Sequence, residues 1–134
     1  MEAVGYVVDS HVLLWFLEGS TKLPALAVEV LAAPDARLIV PSIAVAEIGL
    51  LIRKGRTSVT WLELQEIFHS DKLLLVDPID LDIVIRACQI EGLDGLHDQL
   101  IVACVQRRLE QGENVLLLTS DHVIREAGLV PTLW

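Results

Sequence analysis

The sequence has no apolar run that approaches the roughly 20 residues a membrane-spanning helix requires. The longest such run, residues 43–52, is interrupted by Glu47 and followed at once by Arg53 and Lys54. The N-terminal residues include no basic region, so a signal peptide is not predicted. We therefore expect a cytoplasmic protein that makes no membrane contact.

Cysteine is also scarce, with only Cys88 and Cys104 present. Both lie inside apolar helical patterns, and their spacing matches neither a CxxC motif nor a zinc site. The sequence therefore predicts two reduced thiols in the core rather than a disulfide.

Basic residues are outnumbered by acidic ones, 10 against 19, and the formal net charge is −9. This balance argues against a protein that grips nucleic acid over a broad basic surface. It does not exclude a nuclease, because metal ions in a pocket would offset the local negative charge. Two small basic groups exist, Arg53, Lys54 and Arg56 after one predicted helix, and Arg107 with Arg108 late in another. The first group could contact RNA phosphates, although either group could simply complement a helix C-terminus.

What the sequence has in excess is apolar side chains. They make up 53% of the chain before glycine is counted, and the mean hydropathy is +0.55. Either a sheet is buried on both faces, or apolar surface meets a partner, or both apply.

Short apolar runs alternate with helical patterns along the whole chain. Strands are predicted at residues 4–8, 37–40, 73–76 and 115–118, with a short edge strand at 129–133. The intervening helices are predicted at 11–18, 24–34, 42–54, 60–69, 80–90, 97–111 and 122–127. Ser10 is the predicted N-cap of the first helix, and Thr60 with Glu63 forms a predicted capping box. The pattern predicts one α/β domain over residues 1–134, with a mainly parallel sheet of four to five strands between two helical layers.

Four acidic residues stand where apolar ones are expected. Asp9 and Asp121 follow the first and fourth main strands, whereas Glu47 and Asp98 lie early in helices that start at the same edge of the sheet. Connectivity thus places all four on the rim where open parallel sheets bind ligands. Asp9, Asp98 and Asp121 could each serve only as a helix cap or first-turn acid. Glu47 is harder to explain in this way, since its helical face should be buried.

A group of carboxylates without an adjacent nucleophile favours a divalent cation. Mg²⁺ and Mn²⁺ take oxygen ligands and make hydroxide available near neutral pH, where it can attack a phosphodiester. No serine, cysteine or histidine dyad is placed to act instead. His97, His11 and His122 each neighbour an acid, but we interpret them as surface residues.

The order of these motifs resembles that of one known family. The chain carries Asp9-Ser10 near its N-terminus, a buried glutamate in Ser42-Ile43-Ala44-Val45-Ala46-Glu47-Ile48, then His97-Asp98-Gln99-Leu100, and finally Thr119-Ser120-Asp121. This arrangement resembles the PIN-domain family, and within it the VapC-type ribonuclease toxins of toxin–antitoxin pairs. The resemblance covers essentially the whole chain.

The resemblance implies a three-layer α/β/α fold, metal-dependent cleavage of single-stranded RNA and inhibition by a cognate antitoxin. It implies that Asp9, Glu47, Asp98 and Asp121 hold Mg²⁺ or Mn²⁺, supported by Ser10 and Thr119. One departure stands out, because many relatives carry a further acid three residues before Asp98, where this chain has Gly95. That departure affects a secondary ligand and leaves the four main acids intact.

Two other classes of protein remain open at this point. A phosphoacceptor receiver domain also carries acids at the rim of a parallel sheet, and Asp77 could be its acceptor. Such a domain requires an acidic pair after the first strand and a lysine near the last strand, and neither is present. A binding module that kept the fold without catalysis is the second alternative.

The apolar content also predicts partner surfaces. The best candidates for a groove that receives an antitoxin helix are on the first two helices; they are Val12, Trp15, Phe16, Leu26, Val30 and Leu31. A second apolar surface on the later helices would join two copies into a homodimer. The alternative is that all these residues pack inside a monomer.

Overall fold

The computed structural model describes residues 4–70 and 73–134. Its strands are β1 (Gly5–Val8), β2 (Arg37–Pro41), β3 (Leu73–Asp77), β4 (Val115–Leu118) and β5 (Thr132–Leu133). Its helices are α1 (Ser10–Glu18), α2 (Ala25–Ala32), α3 (Ser42–Arg53), α4 (Trp61–Ile67), α5 (Leu81–Gln89), α6 (Leu96–Glu110) and α7 (His122–Ala127). The described strands form one sheet in the order β3-β2-β1-β4-β5, with every pairing parallel.

The sheet is covered on both faces because successive side chains of a strand point to opposite sides. Val8, Val40 and Leu118 face a core shared with α1, α2, α3 and α4. Val7 and Leu117, one position earlier in their strands, face the opposite core with α6 and α7. The prediction of a three-layer α/β/α fold around a parallel sheet is therefore confirmed.

Helix α5 belongs to the second layer but packs on α6 rather than on the sheet. Ile83 and Ala87 meet Leu100, Ala103 and Cys104 in a separate apolar cluster between the two helices. Cys104 is buried, as predicted, and burial raises the pKa of its thiol to about 12. The prediction that both cysteines lie in the core is wrong for Cys88, which is exposed on the outer side of α5.

The strand order reverses beside β1. The chain runs outward from β1 through β2 to β3, then returns to place β4 on the other side of β1. Helix α6 makes this return over 15 residues, about 22 Å at 1.5 Å per residue. The crevice that such a reversal opens lies at the carboxyl ends of β1 and β4, where the chain continues into Asp9 and Thr119.

The local capping signals were partly predicted. Thr60 and Glu63 form the expected capping box, with the Thr60 hydroxyl accepting from the Glu63 N–H at 3.1 Å. The prediction that Ser10 is the N-cap of α1 is wrong. The N-cap is Asp9, whose Oδ1 accepts from the Ser10 N–H at 2.7 Å, because α1 begins at Ser10, one residue earlier than predicted.

The predicted apolar surface on the first two helices is mostly core. Val12 and Leu31 are fully buried, so the structure contradicts their assignment to a partner surface. Trp15, Phe16 and Val30 are half-buried against the same core, and the ring centroid of Trp15 lies 6.1 Å from that of Trp134. Leu26 alone of this set is largely exposed.

Large apolar side chains are exposed instead on β3 and α5. Leu75 and Val76 are each about half exposed although they point to opposite faces of the edge strand β3. Leu81, Val84 and Ile85 form an exposed stripe at the i, i+3, i+4 positions of α5. Among the described helices, none is long and apolar enough to cross a membrane.

An ionic network anchors the end of β3 to α6. Asp77 is 4% exposed, and its carboxylate accepts from Arg108 Nε at 3.1 Å and lies 3.5 Å from Arg107 Nη2. Arg107 also bonds to Asp80, the N-cap of α5, at 2.7 Å. Arg107 and Arg108 therefore hold two helices and a strand together, beyond complementing the helix C-terminus.

Candidate active site

Hydrogen bonds join Asp9, Thr119 and Asp121 at the carboxyl ends of β1 and β4. The Thr119 hydroxyl is fully buried and donates to Asp9 Oδ2 at 2.6 Å. The Thr119 hydroxyl oxygen in turn accepts from the Asp121 N–H at 3.0 Å. The register that pairs Val8 with Leu118 makes these residues lateral neighbours. These bonds hold the Asp9 carboxylate in place. The Ser10 hydroxyl also donates to its other oxygen, Oδ1, at 3.3 Å.

Glu47 reaches the same region from the second turn of α3. Its Oε1 is buried and has no hydrogen-bond partner among the described residues. Its Oε2 lies 3.4 Å from Nδ1 of His97 on α6. Burial is the main cause that raises the pKa of the Glu47 carboxyl, opposed by His97 and reinforced by the charge of Asp9. A buried carboxylate oxygen without a donor costs folding free energy. Glu47 at this position therefore indicates a role other than stabilising the fold.

Asp98 occupies the third position of α6, and its electrostatic surroundings link it to the other acids. Burial raises the pKa of the Asp98 carboxyl, and the negative charges of Asp121 and Asp9 raise it further. Asp98 also raises the pKa of Glu47. The structure thus brings the acids within electrostatic reach of one another, with Asp9 acting on both Glu47 and Asp98.

Asp121 also caps a helix, a role that its position in the sequence allowed. Its Oδ1 accepts from the Ile124 N–H at 2.9 Å and so caps α7. The negative charge of Asp121 also raises the pKa of the Asp98 carboxyl.

Two adjoining cavities share Glu47 and His97. The first, of about 160 Å³, opens between α1, α3 and α6 and is lined by Ser10 and His11 as well as apolar residues of α3. The second, of about 310 Å³, is lined by Gly95, Leu96 and Asp98 together with the two shared residues. Glu47 and Asp98 therefore face a common cleft.

The donor set fits a hard divalent cation in chemistry. It consists of carboxylate oxygens, one of them buried without a partner, on side chains whose mutual repulsion a cation would relieve. In the described part of the chain, no group of three or more His, Cys, Asp or Glu side chains is arranged so that it could hold a metal ion. Mg²⁺ is usually held through one or two carboxylates and keeps several water ligands, so it does not require such a group.

Position 95, where the resembling family carries a further acid, lies beside Asp98. A Cβ atom at Gly95 would sit 3.5 Å from Asp98 Oδ2, an ordinary van der Waals distance. The backbone there is extended, with φ −89° and ψ 126°, so a side chain is compatible with the local conformation. A carboxylate would fit at this position, and its absence here leaves room in the second cavity.

The three basic residues predicted to contact RNA phosphate differ in their position relative to the cavities. Arg53, Lys54 and Arg56 are all exposed at the end of α3. Lys54 lines the first cavity together with Glu47, whereas Arg53 and Arg56 do not.

Two histidines that we interpreted as surface residues line the candidate site. His97 is 56% exposed, yet its imidazole lines both cavities and contacts Glu47. His11 lines the first cavity and packs 6.0 Å from the ring centroid of Trp15. His97 meets Glu47 because α3 packs against α6. The spacing of residues in the sequence does not predict that packing. His122 does lie at the surface, 3.1 Å from Glu126.

Comparison with known proteins gives fold relatives from three bacteria. A toxin–antitoxin complex from Klebsiella pneumoniae matches with a TM-score of 0.60 at 19% identity, over 87% of each chain. VapBC2 from Rickettsia felis, bound to a DNA fragment from its promoter, matches with a TM-score of 0.65 at 14% identity, over 98% of this chain and 99% of that one. FitAcB from Neisseria gonorrhoeae matches with a TM-score of 0.62 at 16% identity, over 96% of each chain.

No curated protein matches the sequence. At identities below one fifth, the three structures bear on the fold alone. Residues 6–129, however, match the PIN domain as a family. This span holds β2, β3, β4 and all of β1 except Gly5, together with all four acids, and β5 lies beyond it. The chain therefore belongs to the PIN-domain family.

Proposed function

We propose that this protein is a metal-dependent endoribonuclease that acts as the toxin of a toxin–antitoxin pair. PIN domains are generally nucleases, and PIN nucleases generally use divalent metals. The observation that carries the proposal is the buried Oε1 of Glu47, which lacks a hydrogen-bond partner among the described residues and adjoins the cleft that Asp98 lines. The fold relatives support the toxin assignment, since the Klebsiella structure is a toxin–antitoxin complex.

Asp9, Glu47, Asp98 and Asp121 would together hold Mg²⁺ or Mn²⁺. When bound, the cation supplies a water of lowered pKa as the attacking group and a positive charge beside the phosphate. Thr119 and the Ser10 N–H fix the Asp9 carboxylate in one orientation.

Among the described residues, the two hydroxyl groups nearest the cleft are engaged with Asp9 rather than with a general base such as histidine. Thr119 donates to its Oδ2 at 2.6 Å, and Ser10 donates to its Oδ1 at 3.3 Å. We also propose that the exposed cations Arg53, Lys54 and Arg56 contact RNA phosphates beyond the scissile one; of the three, Lys54 lines the cavity that Glu47 also lines.

The receiver-domain alternative conflicts with the surroundings of Asp77. That carboxylate is buried and contacts Arg107 and Arg108, so it is engaged in ion pairs rather than presented to a phosphate donor. A binding module without catalysis differs from a nuclease in one measurable property, which is turnover of RNA.

The experiment is cleavage of a labelled single-stranded RNA with and without Mg²⁺ or Mn²⁺. We expect cleavage by the purified protein that stops in EDTA, spares duplex DNA and is lost in Asp98→Asn and Glu47→Gln. Activity that persists in EDTA would contradict the mechanism. Binding of Mn²⁺ without any RNA turnover would favour the binding module.

We propose two protein partners as well. A small antitoxin would be inhibitory, its basic segment drawn to a chain of net charge −9 with a carboxylate cleft. A second copy of this chain would cover the exposed apolar residues of β3 and α5. Co-expression with the product of the adjacent reading frame tests the first partner, since absence of a complex and of relief from toxicity would exclude it.

A further inference from the structure

The cavity of about 160 Å³ beside Glu47 has a lining that hydrolysis by carboxylates does not require. Its apolar wall comes from Leu14 on α1 and from Ile48, Leu50 and Leu51 on α3. Pockets that hold drug-sized ligands start at about 300 Å³, so this one suits a single ring system rather than a larger molecule. We propose that it receives one base of the single-stranded RNA, next to the scissile phosphate. This assignment rests on the proposed ribonuclease function.

Two imidazole rings at the cavity are suited to stacking on a base. His11 and His97 come from different helices, and both line the cavity. Each ring is held by a neighbour, His11 at 6.0 Å from the Trp15 ring centroid and His97 at 3.4 Å from Glu47 Oε2. Single-stranded RNA is read by stacking unpaired bases on aromatic side chains and packing them against apolar ones.

The cavity carries charged groups of both signs, since Glu47 and Lys54 line it. The chain as a whole has a net charge of −9 and few cations. The Lys54 ammonium group at this place attracts a phosphate that follows the bound base. The cavity is too small for a helix, whose diameter is about 10–12 Å.

The position of the cavity connects base binding to the reacting phosphate. Glu47 and His97 line this cavity and also the neighbouring one, which contains Asp98. A nucleotide with its phosphate beside Glu47 and Asp98 can therefore place its own base, or that of the adjacent nucleotide, against the apolar wall. The pocket would thus contribute to the choice of cleavage sequence.

The test combines an altered pocket with an altered RNA. Leu50→Trp fills the cavity from a side chain that is 46% exposed, so the larger residue can be accommodated without disturbing the core. Leu62→Trp, at a 63% exposed position of α4 outside the cavity lining, is the matched control. The substrates are one short cleavable RNA and a set in which each base around the scissile bond is replaced in turn by an abasic riboside.

We expect one abasic position to slow cleavage by the wild type and by Leu62→Trp by about tenfold, the scale of a lost stacking contact. Leu50→Trp should cleave the intact RNA more slowly, and the same abasic substitution should cost it little, because the pocket is already filled. Equal abasic penalties in the wild type and Leu50→Trp would overturn the assignment. So would a wild type that is indifferent to every abasic position.

Equilibrium binding of the same RNAs to Asp98→Asn, measured by fluorescence anisotropy, separates this proposal from the ribonuclease proposal. Base-dependent binding without cleavage by the wild type would refute the ribonuclease and leave the pocket assignment standing. Unchanged RNA binding in Leu50→Trp, together with lost binding of the antitoxin, would identify the cavity as a protein-docking site and overturn the assignment. Thermal unfolding of each variant establishes that it is folded, and Leu50→Phe replaces Leu50→Trp if the latter is not.

Discussion

At the scale of single residues, the acids of the site differ in whether hydrogen bonds within the fold engage their carboxylates. Asp9 is held by the Ser10 N–H and the Thr119 hydroxyl, and Asp121 caps α7, so both contribute to the fold. Glu47 has a buried oxygen without a partner among the described residues and a raised pKa. Neutralising Asp9 therefore disturbs local structure, and Glu47 is the cleaner probe of electrostatic strain.

The Glu47→Gln variant should be more stable than the wild type in EDTA at neutral pH. A carboxyl whose pKa is raised by folding destabilises the fold as the pH rises above its ordinary value, near 4.5. We expect the melting temperature of Glu47→Gln to exceed that of the wild type by a few degrees at pH 7, corresponding to about 1 kcal/mol. The difference should vanish near pH 4, where the wild-type carboxyl is protonated.

Thermal unfolding in EDTA and in Mn²⁺ measures this effect, with Glu66→Gln on the exposed side of α4 as the control. Mn²⁺ should raise the melting temperature of the wild type and of Glu66→Gln more than that of Glu47→Gln. A Glu47→Gln variant that is less stable in EDTA at pH 7 would show that the carboxylate serves the fold.

Gly95 offers a complementary change, in which a carboxylate is added. Gly95→Asp places a side chain 3.5 Å from Asp98 Oδ2, and Gly95→Asn gives the same shape without charge. Both can cap α6 at this N-cap position, so their difference isolates the charge. We expect Gly95→Asp to bind Mn²⁺ more tightly than Gly95→Asn by severalfold and to unfold at a lower temperature in EDTA. Calorimetric titration with Mn²⁺ checks the first expectation, and equal affinities would mean that position 95 does not face the cation.

At the scale of elements, strands and helices followed from patterns that report burial along one segment. Four continuous apolar runs became parallel strands, and Thr60 with Glu63 became a capping box. The errors concern contacts between segments. Val12 and Leu31 looked like surplus apolar surface, but both are buried by neighbouring helices. His97 does lie at the surface, as predicted, but its contact with Glu47 was not predicted because the two residues belong to different helices.

The candidate site also combines features set by a single segment with contacts between distant segments. Connectivity alone assigned Asp9, Glu47, Asp98 and Asp121 to one rim of the sheet, since a strand end and a short loop leave little freedom. The Thr119 hydroxyl bond to Asp9 spans 110 residues of sequence and depends on the register of β1 with β4. Side-chain contacts between residues so far apart in the sequence leave no local pattern from which they could be predicted.

The ionic anchor between β3 and α6 leads to a prediction about stability. Removing Asp77 leaves the half-buried guanidinium groups of Arg107 and Arg108 without their shared carboxylate. We expect Asp77→Ala to lose about 1–3 kcal/mol of unfolding free energy. The loss is smaller than for a buried charge left unpaired, because Arg107 keeps Asp80 and Arg108 keeps Glu113. Asp82→Ala, at an exposed pair with Arg86, should lose about 1 kcal/mol or less.

Urea denaturation of the two variants measures this difference. Stabilisation by Mn²⁺ should survive in Asp77→Ala, because Asp77 lies outside the cleft lined by Glu47 and Asp98. Loss of the Mn²⁺ effect in Asp77→Ala with an intact fold would reopen the receiver-domain interpretation.

At the scale of the whole molecule, apolar exposure is uneven. The described helices α1 and α2 contribute mostly to the core, whereas β3 and α5 present Leu75, Val76, Val84 and Ile85 to solvent. Exposure of neighbouring strand residues on opposite faces means that neither helical layer reaches the outer part of β3. The surface proposed for a second copy is therefore an edge of the sheet extended by one helix.

Ile85→Lys should disrupt a homodimer formed through this surface. The side chain is 47% exposed, so the substitution leaves the core intact while it places a charge in the proposed interface. Leu62→Lys, on α4 at 63% exposure, is the control. Light scattering at micromolar concentration should give a dimer for the wild type and for Leu62→Lys, and a monomer for Ile85→Lys. A monomeric wild type would remove the homodimer from the proposal.

The strand order has a consequence for the order in which a ribosome releases the chain. Asp9 emerges within the first residues, but Thr119 and Asp121, which flank it, belong to or follow β4, the fourth of five strands. A nascent chain can pair β1 with β2 early, while the other edge of β1 waits for a segment more than one hundred residues downstream. The carboxylate cleft is therefore completed only after β4 has been synthesised, more than one hundred residues after Asp9. The ribonuclease proposed above would gain its site only at that stage.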